Sequence, residues 1–425
     1  MKIDESKNEI DEKETGSTEE ARQKAFVTPF VGTVESYAGF ITVDKKYDSN
    51  LFFWFFKSEK HTSNDDRPVL LWLQGGPGHS FMMSLFEENG PYRMTNDGRV
   101  KLAELSWTKK YNMLYIDNPV GAGYSFTNNT EGYSRTVDHA AVNLYNGLQQ
   151  FFLLFSEYKN NEFYLTGQSY AAKYICKLAS IIHEQNEENK FIRINLQGLS
   201  IGCGIIDPPN QIHYAQFLYE NGIVSGKERD EIEFHEKKIQ KALIKNYLVV
   251  SVFHMLLISF KIRQLGYSQF LDVMEPNYNL SAYTDVHKFI QNETTRNAIH
   301  VGSKSFQHEK RVLFYFRNDL FKSVSNDLSI LLKNYRILLY SGQYDLVVPP
   351  AQIERVIESL SWEGLQEFSR TKNQIWRVED ENAGYKKSYG NLTRVMVRKA
   401  NHLIIRSQPK WIFHLITQFI SEKAL

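Results

Sequence analysis

Ser169 lies in the run Gly167-Gln168-Ser169-Tyr170-Ala171, between an apolar stretch, Glu162 to Thr166, and a segment of helical periodicity, Tyr170 to Glu187. A serine hydroxyl is a poor nucleophile in water. It becomes useful where a sharp turn lifts Oγ off the backbone, a base lies beside it and N–H groups face the oxyanion that forms. A strand–turn–helix setting is what a Gly-x-Ser motif needs before it counts as such a nucleophile. Ala171 stands where the motif has its second glycine, so the pattern alone is degenerate.

The chemistry also needs an acid and then a histidine further along the chain. The strand-like run Arg336 to Gly342 is followed by Gln343-Tyr344-Asp345, and the run Arg394 to Arg398 is followed by Asn401-His402. In an open parallel sheet, functional groups collect beyond the carboxyl ends of the strands. Ser169, Asp345 and His402 all hold that place, in the expected order. Taken singly, Asp345 reads as a turn carboxylate and His402 as a surface-loop imidazole. Taken with the serine turn, the three read as a catalytic triad. Another apolar run, Pro68 to Leu73, leads into Gln74-Gly75-Gly76-Pro77-Gly78. Such a loop is either a tight turn or an oxyanion loop that turns an N–H inward, as the HGGG loops of hydrolases do; the second N–H would come from Tyr170. No Gly-Lys-Ser/Thr follows, and no His, Cys or carboxylate cluster has ligand spacing, so neither cofactor nor metal is expected.

The chain resembles the serine carboxypeptidases, and among them the vitellogenic-like branch. The likeness is carried by Trp72 to Gly78, by Leu114-Tyr115-Ile116-Asp117-Asn118-Pro119-Val120-Gly121-Ala122-Gly123-Tyr124-Ser125, and by Gly167 to Tyr174. Tyr340 to Asp345 and His402 with Gln408-Pro409 complete it, in register from about Glu35 to the C-terminus. The resemblance implies acyl transfer, with Ser169 attacking the last peptide carbonyl and water releasing the acyl-enzyme. It gives His402 the role of base and acid, Asp345 that of orienting the imidazole, and Gly76 and Tyr170 the oxyanion N–H groups. It also implies peptide substrates with a free C-terminal carboxylate, gripped by an amide in the glycine-rich loop, a Glu before the nucleophile and a second Glu downstream of that loop. Gln74 and Glu88 match the first and last; the position before the nucleophile departs, being Gln168. A Glu there must be protonated to face a carboxylate, whereas Gln donates at any pH. Ala172, Cys176 and Asn401 stand where the family usually has Gly, Pro and Gly. Ala172 fits a helical backbone, and Asn401 can adopt a left-handed one.

The elements that must position these residues follow from periodicity. At 425 residues and 42% hydrophobic the chain can build a large core, and its net charge of +1 without a basic, aromatic-laced patch argues against nucleic acid. Strand-like and helical runs alternate from Val34 to about Gly204, beginning with a hairpin across Asp44 to Asp48. This rhythm predicts a mostly parallel sheet with right-handed crossovers, and with the resemblance it implies an α/β-hydrolase fold with a helical cap insertion. The expected divisions are a disordered polar segment over 1–25, a first core part over 26–207, the cap over 208–325 and a second core part over 326–425. Tyr247 to Phe260 is almost wholly apolar, but its fourteen residues are too few to span a bilayer. It reads as a buried cap helix, with His254 a core or surface histidine rather than a catalytic one.

Compartment signals conflict. The resemblance implies a secreted or lysosomal enzyme, whereas Met1 to Glu5 opens a polar stretch without an apolar leader. The two cysteines, Cys176 and Cys203, fit a reducing, cytoplasmic setting or a core that needs no bridges. Four glycosylation patterns, at Asn128, Asn279, Asn292 and Asn391, are about what chance supplies. Three readings follow: a serine carboxypeptidase, a related acyltransferase or esterase, and an impaired member kept as a binding protein.

Overall fold

The computed structural model describes residues 15–60, 66–95 and 97–421. Within it the chain forms two compact units: residues 1–167, 174–199 and 281–319, and residues 168–173, 200–280 and 320–425.

In the first unit, β1 (Phe26–Val27), β2 (Ser36–Asp44), β3 (Ser49–Phe56), β4 (Val69–Leu73), β5 (Tyr92–Met94), β6 (Val100–Leu102), β7 (Asn112–Ile116), β8 (Phe126–Thr127) and β9 (Phe163–Gln168) follow in chain order, β9 ending one residue beyond the unit. The main sheet runs β1-β2-β3-β7-β4-β9, with β8 beside β3 and with β5 and β6 forming a separate pair. The predicted hairpin is β2–β3, antiparallel across Asp44 to Ser49. β4 is parallel to both β7 and β9, and Leu73 lies opposite Gly167 at the carboxyl ends of β4 and β9. β3, β4, β7 and β9 are buried along their whole length. Strands covered on both faces read as continuous apolar runs rather than alternating ones, which is why these runs were legible.

In the second unit, β10 (Leu196–Gly202, entering from the first unit), β11 (Arg336–Gly342), β12 (Gln374–Val378), β13 (Glu381–Tyr389) and β14 (Leu392–Val397) take the order β10-β11-β14-β13-β12. β11 and β14 are parallel, whereas β12–β13 and β13–β14 are antiparallel. Parallel pairing therefore holds for the strands that lead into the site, and antiparallel pairs finish the edges. Between β10 and β11 the elements are helices among the described residues. One of them, Gly226–Ile244, starts at a capping box in which Ser225 and Glu228 satisfy each other's N–H groups.

Two expectations are corrected. Thr15–Ala25 is a helix, although its composition predicts disorder; Arg22 ties it down by pairing with Glu157 and lying 5.1 Å from the Phe155 ring centre. Residues 1–14 lie outside the described residues. The apolar stretch 247–260 forms most of the helix Leu248–Gln264, but that helix is not buried. Ser251, Ile258 and Ile262 face inward, while Val249, Phe253, Leu256 and Phe260 are exposed. Apolar content records which residues could be buried; only the neighbours decide which are.

Candidate active site

Ser169 caps β9 with a φ of +59°, in the left-handed region that non-glycine residues avoid. The turn is held from both sides: the Ser169 N–H donates to the Gly202 carbonyl at 2.8 Å, and the Ser169 carbonyl accepts from Ile205 N–H at 3.0 Å. From Phe163 to Cys176 every residue except Ser169 is buried. The strained turn thus presents one side chain of this stretch to solvent, which is the geometry of a nucleophile elbow. The helix Ala171–Glu188 follows at once, with Ala172 helical as expected. Tyr170 is buried under the ammonium of Lys173, 4.9 Å from its ring centre. Lys173 is itself buried and donates to the carbonyls of Leu320 (2.8 Å) and Lys322 (2.6 Å).

Asp345 and His402 are brought together by the β11–β14 pair. Gly342 lies opposite Val397 at the ends of the two parallel strands. Beyond them Gln343 N–H donates to the Val397 carbonyl and Tyr344 N–H to the Ala400 carbonyl, at 2.9 and 2.7 Å. Glycine is required at 342, because a Cβ there would lie 2.5 Å from the carbonyl oxygens of both Ala400 and Asn401. The result is a hydrogen bond of 2.9 Å between His402 Nδ1 and Asp345 Oδ2, with both residues buried. Asp345 Oδ1 accepts from the N–H groups of Val347 and Val348, at 2.8 and 2.9 Å. A carboxylate fixed in this way holds an imidazole in one tautomer and leaves Nε2 for proton transfer.

Sequence reading missed three supporting groups. The His402 N–H donates to the Leu271 carbonyl at 2.9 Å, and Asn401 Nδ2 donates to Asp272 Oδ2 at 3.1 Å, so the loop that follows the helix Leu248–Gln264 braces the histidine. In the loop that carries His402, after β14, the left-handed residue is Lys399, with φ +54°, rather than Asn401. Cys203, at φ +49°, follows β10; its Sγ, an Asp345 carboxylate oxygen and a His402 ring nitrogen lie within 4.8 Å of one another. Sequence spacing shows no such cluster because its members come from three separate strand ends.

In the first unit, Gly76 has a φ of +116°, and a Cβ there would meet His79 N at 2.8 Å. Gln74 Nε2 donates to Ser84 Oγ at 2.7 Å, while Glu88 closes the helix Met82–Glu87, its backbone N–H donating to the Ser84 carbonyl at 2.9 Å. Gln74 Oε1 also accepts from Gly75 N–H at 2.9 Å, and all of Gln74, Ser84 and Glu88 are buried. Arg93 holds the turn by donating to the Glu88 carbonyl and to that of Tyr92, the latter at 2.7 Å. Asp117 is wholly buried; it accepts from Ser80 Oγ (2.6 Å), Tyr124 N–H (2.9 Å) and Phe81 N–H (3.1 Å), yet burial pushes its carboxyl up to about 7. In this way it organises the Asp117–Ser125 loop. Gln168, the last residue of β9, is buried.

A serine on a strained strand-to-helix turn, with an Asp–His pair beyond parallel strands, is the organisation of an α/β-hydrolase. Comparison with known proteins narrows the class. The family model described as serine carboxypeptidase matches residues 28–422. The venom serine carboxypeptidase of Apis mellifera is 39% identical over 96% of this chain and 90% of its own length. The probable serine carboxypeptidase CPVL of Homo sapiens (39%) and the vitellogenic carboxypeptidase of Aedes aegypti (38%) each align over 96% of this chain and 88% of their own. The chain belongs to the serine carboxypeptidase family and is a serine-type carboxypeptidase. A crystal structure of the prohormone-processing carboxypeptidase Kex1 from Saccharomyces cerevisiae shares the fold, with a TM-score of 0.83 over 94% of this chain and 96% of that one, at 23% identity.

Proposed function

We propose that Ser169, His402 and Asp345 release C-terminal residues from peptides through an acyl-enzyme. Ser169 Oγ attacks the last peptide carbonyl while His402 Nε2 takes its proton. The tetrahedral intermediate collapses, His402 returns the proton to the leaving amine, and water repeats the sequence to free the shortened peptide. Asp345 orients the imidazole and stabilises its charged form. The observation that carries this reading is the buried 2.9 Å bond between His402 Nδ1 and Asp345 Oδ2, with the second carboxylate oxygen already committed to two backbone N–H groups. Gly76 and Tyr170 are assigned the oxyanion N–H groups that the family resemblance implies. Gln74, Glu88 and Gln168 are assigned to the substrate's free carboxylate. Support for Gln74 is the hydrogen bond from its buried amide to Ser84 Oγ, and support for Glu88 is its burial beside that segment. The helical stretch 208–325 is read as the cap that shapes residue preference.

Two assays test the reading. A fluorophosphonate probe labels the native protein and fails to label Ser169→Ala. A blocked dipeptide releases its C-terminal amino acid, whereas the C-terminally amidated version does not. Equal turnover of both peptides would remove the carboxylate requirement, and labelling that survives in Ser169→Ala would remove the nucleophile.

A further inference from the structure

The helices Gly226–Ile244 and Leu248–Gln264 pack together as a hairpin in the second unit. One side is ordinary core: Ile232, Ile239, Ile258 and Ile262 join a buried cluster with Tyr267, Val273 and Leu346. The other side is anomalous for a water-facing surface. Val249, Phe253, Leu256 and Phe260 are 83, 57, 63 and 59% exposed, at positions i, i+4, i+7 and i+11 of one helix face. Phe234, Ile244 and Tyr247 continue the apolar surface along the hairpin. Patches of this kind mark interaction sites rather than chance exposure.

Charge says what the patch meets. From Lys237 to Leu271 the chain has no Asp or Glu, but it carries Lys237, Lys238, Lys241, Lys245, Lys261 and Arg263. The acids near the start of the first helix are paired, Asp230 with Arg229 at 2.7 Å, Glu233 with Lys237 at 2.6 Å and Glu231 with Lys261, so the positive charge of the rim rests on Lys238, Lys241, Lys245 and Arg263. Lys238 lies over the ring of Phe234 at 5.2 Å, so cation and apolar surface are interleaved. A second copy of the chain is a poor occupant, because a self-complementary contact would set this basic rim against itself. Side chains this exposed stand out from the surface instead of lining a groove, which suits a fluid that moulds around them. No helix among the described residues is long and apolar enough to cross a membrane.

We propose that the Gly226–Gln264 hairpin docks on the surface of anionic phospholipid bilayers. The Val249–Phe260 stripe would lie in the plane of the interface and the lysines would face the headgroups. Apolar area combined with basic flanks is what gives such helices affinity for anionic membranes.

Co-flotation of the full chain with vesicles tests this. Binding is expected to phosphatidylcholine–phosphatidylserine vesicles and at least about ten-fold less to phosphatidylcholine alone, with the difference closing as salt approaches about 1 M. The double variant Phe253→Ser/Leu256→Ser is expected to lose at least about ten-fold in vesicle binding. Its thermal midpoint and fluorophosphonate labelling are expected to stay unchanged. Should that variant unfold early, Lys241→Glu/Lys245→Glu, which touches only exposed side chains, is expected to lower binding to the anionic vesicles alone. Failure of the native chain to float with anionic vesicles overturns the proposal. So does a dimer seen by light scattering that Phe253→Ser/Leu256→Ser dissociates while vesicle binding is absent, since the face would then belong to a second copy.

Discussion

Asn401 Nδ2 donates to Asp272 Oδ2 at 3.1 Å in a buried setting, one residue before His402. Asn401 Oδ1 also accepts from Leu403 N–H at 2.9 Å, so the amide holds the histidine loop at both ends. Asn401→Ala is expected to cost about 1–3 kcal/mol in chemical denaturation, because a buried carboxylate loses its donor. It is expected to lower kcat as well. Asn401→Asp places two carboxylates face to face, so its loss of stability should grow as pH rises and shrink toward acid. An Asn401→Ala protein as stable and active as the native one would show that the loop holds itself.

The fixed tautomer of His402 has a kinetic signature. Asp345→Asn presents an amide N–H to Nδ1 and favours the wrong tautomer. The expected fall in kcat is about 10⁴-fold, with little change in the thermal midpoint. Stopped-flow or steady-state hydrolysis of a blocked dipeptide reads it, and a fall below about ten-fold would deny Asp345 its orienting role.

Gln168 is proposed to face the substrate's free carboxylate, and an amide donates a hydrogen bond irrespective of pH. KM for a dipeptide with a free carboxylate is therefore expected to stay flat from acid to neutral pH. Gln168→Glu is expected to make KM rise above about pH 5–6, where a carboxyl of raised pKa ionises against the substrate's own charge. The pair of KM profiles decides the matter, and identical steep profiles would move the discrimination to another group.

Glu236 gives the fold a pH dependence that can be isolated. It is buried, it caps the helix Ala215–Glu220 by accepting from the N–H groups of Tyr214 and Ala215, and burial pushes its carboxyl up to about 7. The folded state thus holds a proton that the unfolded state has released. Stability from this group is full below about pH 4.5 and lost as pH rises through about 7, with a slope of at most about 1.4 kcal/mol per pH unit. His213, pushed down to about 4 by burial and by Arg355, acts in the opposite sense, its contribution lost as pH falls from about 6.5 through about 4. The difference between native and Glu236→Gln proteins cancels that background. Gln keeps the accepting oxygen, so the variant is expected to gain relative stability as pH rises. Parallel curves would place the titration elsewhere.

Gly342 is the spacer between the acid and histidine loops. Gly342→Ala is expected to cost about 1–3 kcal/mol by overpacking, and to lower kcat further by pushing the Ala400–Asn401 backbone away. An unaffected kcat would show that the two loops move together.

The chemistry-bearing residues could be read early because their signals are local. A run such as Arg336 to Gly342 is strand-forming wherever it is placed, and whatever follows it must emerge at that strand's end. Ser169, Asp345 and His402 are proposed on that basis, and the parallel partners of β4 and β11 lie where apolar runs predicted strands. The helix at Thr15–Ala25 escaped notice because its stability comes from Arg22 reaching Glu157, a partner 135 positions away.

Residue order and type determined which groups could meet and what reaction they could perform, since strand propensity, turn chemistry and side-chain pKa belong to the residues themselves. Only the tertiary structure decided that Asp345 would close on His402, that Cys203 would lie within 4.8 Å of both, that the Asp272–Asn401 pair would brace the histidine loop, and that an apolar helix would face outward. Burial and pairing are properties of neighbours brought together by packing, and no window of sequence contains those neighbours.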